Sequence, residues 1–216
     1  MAASDGVDFG TISMIAQQIK DAYYGVALLA SKLLRPLYAV HYRARRRDVT
    51  RVHIGCGANY ISGFINIDGN VYRRVDYVLD IRAGLPFPDA SIEFIYSCHM
   101  LEHIYINDAI AALGEWRRVL RAGGYIRLAV PDFAYALRIL AGEVESKFPR
   151  AFRSWEAQAA NFIFCDGQHK FVYSKSIIDE ISAAVGFARV EWAGVTDKNL
   201  PLLDEPVGSV VVNIFK

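Results

Sequence analysis

Between Arg51 and Asp68 the chain reads RVHIGCGANYISGFINID, and this run constrains the fold more than any other. A β-branched, apolar stretch (Val52, Ile54) ends abruptly at Gly55-Cys56-Gly57, and a second alternation, Phe64, Ile65, Ile67, stops on Asp68. A strand that runs into closely spaced glycines suits a backbone that turns tightly and passes within touching distance of a ligand. An acid at the tip of the next strand stands where it can accept hydrogen bonds from a pair of ribose hydroxyls. Together they point to a nucleoside-containing cofactor. The plain alternative is an ordinary strand-ending turn with Asp68 capping a loop.

Only a few residues separate Gly57 from the second strand near Gly63. Parallel neighbours ordinarily need a crossover of roughly a dozen residues or more, usually a helix. A short loop or single turn is therefore expected, leaving one face of the sheet bare. Ahead of it, Ile15, Ile19, Tyr23, Val26, Leu29 and Leu33 recur at helical spacing, and Pro36 is expected to break or kink that helix. Ile15, Ile19, Tyr23 and Val26 are expected to cover the bare face. The alternative for this segment, followed by the basic cluster Arg43, Arg45, Arg46 and Arg47, is an amphipathic stretch resting on an anionic membrane. Residues 1–10 read as a frayed terminus.

Onward, strands are expected at 77–80, 92–97, 125–130, 189–192 and 207–215. Helices are expected at 106–121, stopped by Gly123-Gly124, and at 174–185, with Ser174 as N-cap. The alternation gives an α/β fold with a mainly parallel sheet. Residues 133–170, rich in aromatics (Phe133, Tyr135, Phe148, Phe152, Trp155, Phe162, Phe164), read as a helical, lid-like insertion. The 216 residues suit one such domain: a helical extension over 1–48, then a domain over 49–216.

A net charge of +1 gives no support to nucleic-acid binding. Cys56, Cys98 and Cys165 are odd in number and widely spaced, which fits neither a disulfide framework nor a zinc site; no metal is expected, and a reducing compartment is. No secretory signal is visible, and the apolar run 23–40 is interrupted by Lys32, Arg35 and Pro36, against a membrane span. A soluble, cytoplasmic chain is expected, with peripheral membrane contact left open.

Four features recur at strand ends: Gly55-Cys56-Gly57, Asp68, Asp80 with Leu85-Pro86-Phe87-Pro88, and Ser97 to His103 followed by RRVLRAGG. On these the chain resembles class I S-adenosylmethionine-dependent methyltransferases, in the group that carries GCG, an LPFP-like turn, LEH and a VL-x-x-GG stretch, over about 51–132. The resemblance implies a Rossmann-like, seven-stranded sheet with an antiparallel last strand and S-adenosyl-L-methionine as cofactor. It implies that Gly55 and Gly57, with Cys56 and Asn59 in the same loop, hold the methionine part. Asp68 would bind the ribose hydroxyls, Asp80 and Ile81 sit beside the adenine, and Ser97, Cys98 and His99 line the cofactor near its methyl group. Two positions depart from the pattern: His53 stands where the family often has an acid, and Asn59 where it has a third small residue. The implied activity is methyl transfer to a hydroxyl of a small molecule or glycan, since relatives with the short loop are associated with polysaccharide assembly. An inactive, S-adenosylmethionine-binding partner or scaffold protein is the alternative. An NAD-dependent oxidoreductase is more distant, because it wants G-x-G-x-x-G opening a helix and an acid about 20 residues on. Here Tyr60 replaces the third glycine and Asp68 comes too soon.

Methyl transfer from a sulfonium is an in-line displacement, so positioning supplies most of the rate, and a hydroxyl acceptor also gains from a base. His99, just past a strand's C-terminal end, is the leading candidate; the alternative is a histidine satisfied by the adjacent loop. Asp132 binds acceptor or orients a histidine, or simply caps a turn. His169 reaches the site from the lid, or is a solvated loop residue. His103 is expected to face into the domain in a structural role. Cys56 and Cys98, with no basic partner, are assigned to packing.

Overall fold

The computed structural model describes residues 9–146, 153–192 and 207–216, with side chains from residue 18 onward. Residues 1–8, the side chain of Ile15, Phe148 and Phe152 lie outside the described residues. A long helix, α1 (Phe9–His41), continues into a wider π turn at Tyr42–Arg46. Then come β1 (Arg51–Ile54), β2 (Ile65–Asp68), β3 (Tyr77–Val78), β4 (Ile92–Cys98), α2 (Ile106–Val119) and β5 (Leu120–Pro131). The rest is α3 (Phe133–Leu140), α4 (Trp155–Phe164), α5 (Lys175–Val185), β6 (Arg189–Trp192) and β7 (Ser209–Phe215). The described strands form one sheet in the order β3-β2-β1-β4-β5-β7-β6. Its neighbours are parallel except at β7, which runs antiparallel to β5 and β6.

Alternation of side chains along the strand, together with the register shift between Ile92 and Phe94, lets β4 feed two cores. Ile92 and Ile95 join the main core with Leu113 and Trp116 of α2 and Ile178 and Ile181 of α5. Phe94 and Tyr96 point the other way, into a small cluster with Ile61 and Phe64. No helix links β1 to β2, as the spacing predicts. The face so exposed is covered by that connection's own Ile61 and Phe64, at 7% and 3% exposure, and not by α1.

The helix docks with a different face from the one expected. Leu28, Tyr38 and Tyr42 join the main core. Ser31 is buried, and its Oγ accepts the Asp80 N–H at 2.8 Å. Tyr38 stacks on Tyr77 and Tyr42 meets Phe87 edge-on. Of the four residues assigned to the bare face, Tyr23 does touch the domain, its hydroxyl donating to the Gly69 carbonyl at 2.9 Å. Ile19 and Val26 are 64% and 68% exposed. Pro36 lies inside the helix without ending it; it is exposed, so water can satisfy the carbonyl it leaves without a donor.

Two other boundaries move. The helix expected to run to Arg121 ends at Val119, and Gly123-Gly124 fall inside β5 instead of stopping a helix. There the pairing with β4 shifts register between Ile92 and Phe94, which accommodates Gly123 at φ +74°. Ser174 does cap α5, accepting the Ile177 N–H at 3.3 Å. In the aromatic insertion, α3 and α4 pack on each other through Ala136, Ile139, Ala159 and Phe162, a cluster separate from the main core.

Candidate functional site

The strand ends carry the candidate residues to one edge of the sheet, where open α/β sheets bind ligands. The glycine loop is anchored to its neighbour: the N–H groups of Gly55 and Cys56 both donate to the Ile67 carbonyl, at 2.9 and 3.1 Å. Gly55 sits at φ +69°, and a Cβ there would collide with the Met100 side chain. Gly57, at φ +52°, is different: a Cβ would meet nothing within 4 Å. Its N–H donates to Asp68 Oδ2 at 2.8 Å, while Asp68 Oδ1 accepts from Asn70 N–H at 2.8 Å. Asp68 therefore clamps the loop and still keeps a second lone pair on each oxygen. That is the chemistry a ribose diol needs, beside a loop face that is open.

The other expected cofactor residues divide. Ser97 is fully buried, and its Oγ has no partner among the described residues. A hydroxyl left unpaired at the end of β4 fits a ligand that supplies the bond. Asn59 is exposed and turns the loop, its N–H donating to the Cys56 carbonyl at 2.8 Å. Asp80 is buried and already engaged: it pairs with Arg82 at 2.6 Å and caps the turn Ile81–Ala83. Ile81 beside it is buried. The Cys56 thiol is pushed up to about 12, by burial first and then by the Asp68 charge, which makes it a packing group. Cys98 is half-buried.

His53, the departure from the family pattern, lies in the sheet rather than in the loop. It is buried, with Nδ1 3.3 Å from Asn66 Oδ1 and its ring against Tyr96.

His99 takes left-handed backbone at φ +52°, which a non-glycine residue adopts only when its surroundings hold it there. Its N–H donates to the Ala129 carbonyl. Its Nε2 lies 2.8 Å from Ser209 Oγ and its Nδ1 3.2 Å from Glu102 Oε1. Neither partner was singled out from the sequence. Glu102 had a signal, the Leu-Glu-His word three residues on; Ser209 opens the last strand and had none. His103 does not face into the domain: it is exposed, and its ring stands edge-on to that of His169 at 5.1 Å. The arrangement arises because the residues after α4 pair with the Leu101–His103 turn, Lys170 N–H donating to the Glu102 carbonyl at 2.7 Å. His169 is accordingly half-buried and not a solvated loop residue; burial is the main cause lowering its basicity. Asp132 caps α3, accepting the Ala134 N–H at 3.0 Å.

Residues 56–128 match the family model described as a methyltransferase domain. A probable S-adenosylmethionine-dependent methyltransferase of Mycolicibacterium smegmatis is 32% identical over 111 residues, which is 42% of this chain and 40% of that protein. The chain thus spans well under two thirds of the relative it matches. The fold is similar to that of a SAM-dependent methyltransferase from Archaeoglobus fulgidus (TM-score 0.52, 14% identity, covering 84% of this chain and 94% of that one). It is also similar to one from Mesorhizobium loti (TM-score 0.50, 15% identity, covering 77% and 90%).

Proposed function

We propose that the chain, whose residues 56–128 match a methyltransferase domain, is a class I S-adenosylmethionine-dependent methyltransferase that moves the sulfonium methyl group to a hydroxyl of a small molecule or glycan. The observation that carries this reading is the Asp68 clamp on Gly57, with its free lone pairs beside the open face of the loop. In this reading Gly55, Cys56, Gly57 and Asn59 hold the methionine part, Asp68 binds the ribose, and Asp80 with Ile81 borders the adenine. Ser97, Cys98 and His99 line the methyl group. Transfer forms a carbon–oxygen bond as the carbon–sulfur bond breaks, the electron pair returns to sulfur, and the hydroxyl proton leaves. His99 is the group for that proton. A hydroxyl in the place of Ser209 Oγ would meet Nε2, while Glu102 beside Nδ1 holds the ring in orientation. His169 and Asp132 border the acceptor from the insertion and from the end of β5.

Calorimetric titration with S-adenosylmethionine tests the cofactor half of this reading, and binding is expected to fall at least tenfold in Asp68→Ala. Labelled-methyl transfer to a panel of hydroxylated small molecules and oligosaccharides tests the acceptor half. No turnover on any of them would instead favour an inactive, cofactor-binding partner protein, the reading for which His53 and Asn59 speak.

The outward face of α1 bears on where the reaction takes place. Ile19, Val26, Leu29, Leu33, Leu37 and Val40 form an exposed apolar stripe at helical spacing, and Lys20, Lys32, Arg35 and Arg43 are exposed on the same helix and the turn after it. No helix among the described residues is long and apolar enough to cross a membrane. A basic helix with an apolar outer face suits the surface of an anionic bilayer, consistent with a cytoplasmic enzyme acting in polysaccharide assembly. Sedimentation with phosphatidylglycerol vesicles, lost in the double variant Val26→Glu/Leu33→Glu, is the expected result. Equal sedimentation of both proteins, or a dimer in solution that the same substitutions dissolve, would refute the membrane role.

A further inference from the structure

Glu102 is the most demanding group in the molecule. Its side chain is 1% exposed, and neither carboxylate oxygen has a hydrogen-bond partner among the described residues. A buried carboxylate with no hydrogen bond to neutralise it is costly, and the remedy is a cation. His99 Nδ1 approaches one oxygen at 3.2 Å. His103 and His169 are also close, and one donor atom of each lies within 4.8 Å of the carboxylate and of the other.

The two rings are held by hydrogen bonds that decide which nitrogen is free. His169 Nδ1 lies 2.9 Å from the Ile163 carbonyl, and His103 Nδ1 lies 3.3 Å from the Gln168 carbonyl. A carbonyl only accepts, so each Nδ1 carries the hydrogen and each Nε2 keeps its lone pair. That is how proteins fix imidazole for ligation, one nitrogen anchored to backbone and the other left with its lone pair. The anchors are firm, because Lys170 and Phe171 N–H groups both bond the Glu102 carbonyl, at 2.7 and 3.4 Å. His103 is exposed and leaves a way in from solvent.

We propose that Glu102, His103 and His169 form a binding site for one divalent transition-metal ion of the Zn²⁺, Co²⁺ or Mn²⁺ kind. Two imidazoles and one carboxylate are a ligand set for such ions that leaves coordination positions open. Bonds of about 2.0–2.2 Å place tetrahedral donors roughly 3.3–3.6 Å apart, so the three side chains draw in slightly as the ion enters. The cysteine spacing gave no hint of this site, since none of its ligands is a cysteine. Because His99 touches Glu102, the ion would stand next to the group assigned to the acceptor. That consequence rests on the methyl-transfer reading; the binding itself does not.

The test uses the untagged full chain, stripped with a chelator and titrated with Co²⁺. One equivalent per chain is expected to bind with visible d–d absorption, and Zn²⁺ to displace it. His169→Ala and Glu102→Gln should each weaken binding at least tenfold, with far-UV circular dichroism confirming that the variants are folded. If Glu102→Gln does not fold, His103→Ala, which alters an exposed side chain, takes its place and should show the same loss. Absence of stoichiometric Co²⁺ binding overturns the proposal, as does binding that the folded variants leave undiminished. S-adenosylmethionine titration of the same samples reports separately on the cofactor, so the two readings fail independently.

Discussion

His53 makes the stability of this protein depend on pH in a calculable way. Burial, the largest cause, lowers its basicity from 6.5 to about 4, against smaller opposing effects of the Asn66 hydrogen bond and the Asp68 charge. Above pH 6.5 the ring is neutral in both the folded and the unfolded chain, and it contributes no pH dependence. Between 6.5 and about 4 the unfolded chain takes up a proton that the folded chain refuses, so stability falls as the pH falls. Below that window the loss is complete, at roughly 3 kcal/mol; at pH 5 it has reached about 2 kcal/mol. Against a total of about 5–15 kcal/mol this is large. The perturbation is His53→Gln, whose amide can still donate to Asn66 Oδ1 but does not titrate. Urea unfolding of both proteins at pH 7.5 and pH 5.0 gives the comparison. The substitution's own cost appears at both values and cancels. Wild type should lose about 2 kcal/mol more than the variant on acidification. Equal losses in the two proteins would refute the claim that His53 is buried in its neutral form.

Asp68→Ala removes the acceptor of the Gly57 and Asn70 N–H groups, so a thermal melt should show a loss of about 1–3 kcal/mol alongside the loss of cofactor binding. Gly57→Ala should instead fold with a strain of about 1–2 kcal/mol from its positive φ and fail to bind cofactor in the calorimeter, its new methyl group filling the open side of the loop. Ser31→Ala leaves the Asp80 N–H without its acceptor, which should cost about 1–3 kcal/mol by urea denaturation. Deleting residues 1–40 removes Ser31 and the Tyr38–Tyr77 stack together; the truncated chain should melt well below the full one, and an unchanged melting temperature would exclude a packing role for α1.

What could be read from the sequence was whatever is encoded by neighbours along the chain. The strand ending in glycines, the acid closing the next strand and the missing crossover are local patterns, and β1, β2 and the loop between them lie where those patterns put them. The direction of β7 is long-range, yet it came with the family resemblance. Which side of α1 meets the domain was not encoded this way. A helix stripe of Ile19, Val26 and Leu33 reads as a core face only if water is the alternative to the core. The docking contacts use Ser31, Tyr38 and Tyr42, whose polar tips hide them from a count of apolar residues.

Glu102 escaped for a related reason. The Leu-Glu-His word was visible, but its chemistry appears only when the segment carrying His169 folds back onto it. Both surprises break a local rule: an apolar stripe turned outward, and a carboxylate buried with no hydrogen bond among the described residues. Natural chains are locally consistent nearly everywhere, and departures concentrate where binding or catalysis needs them. Neither departure serves the core. A leucine would fill the place of Glu102 at lower cost. In the readings proposed above, the outward stripe meets a membrane surface and the carboxylate meets an ion.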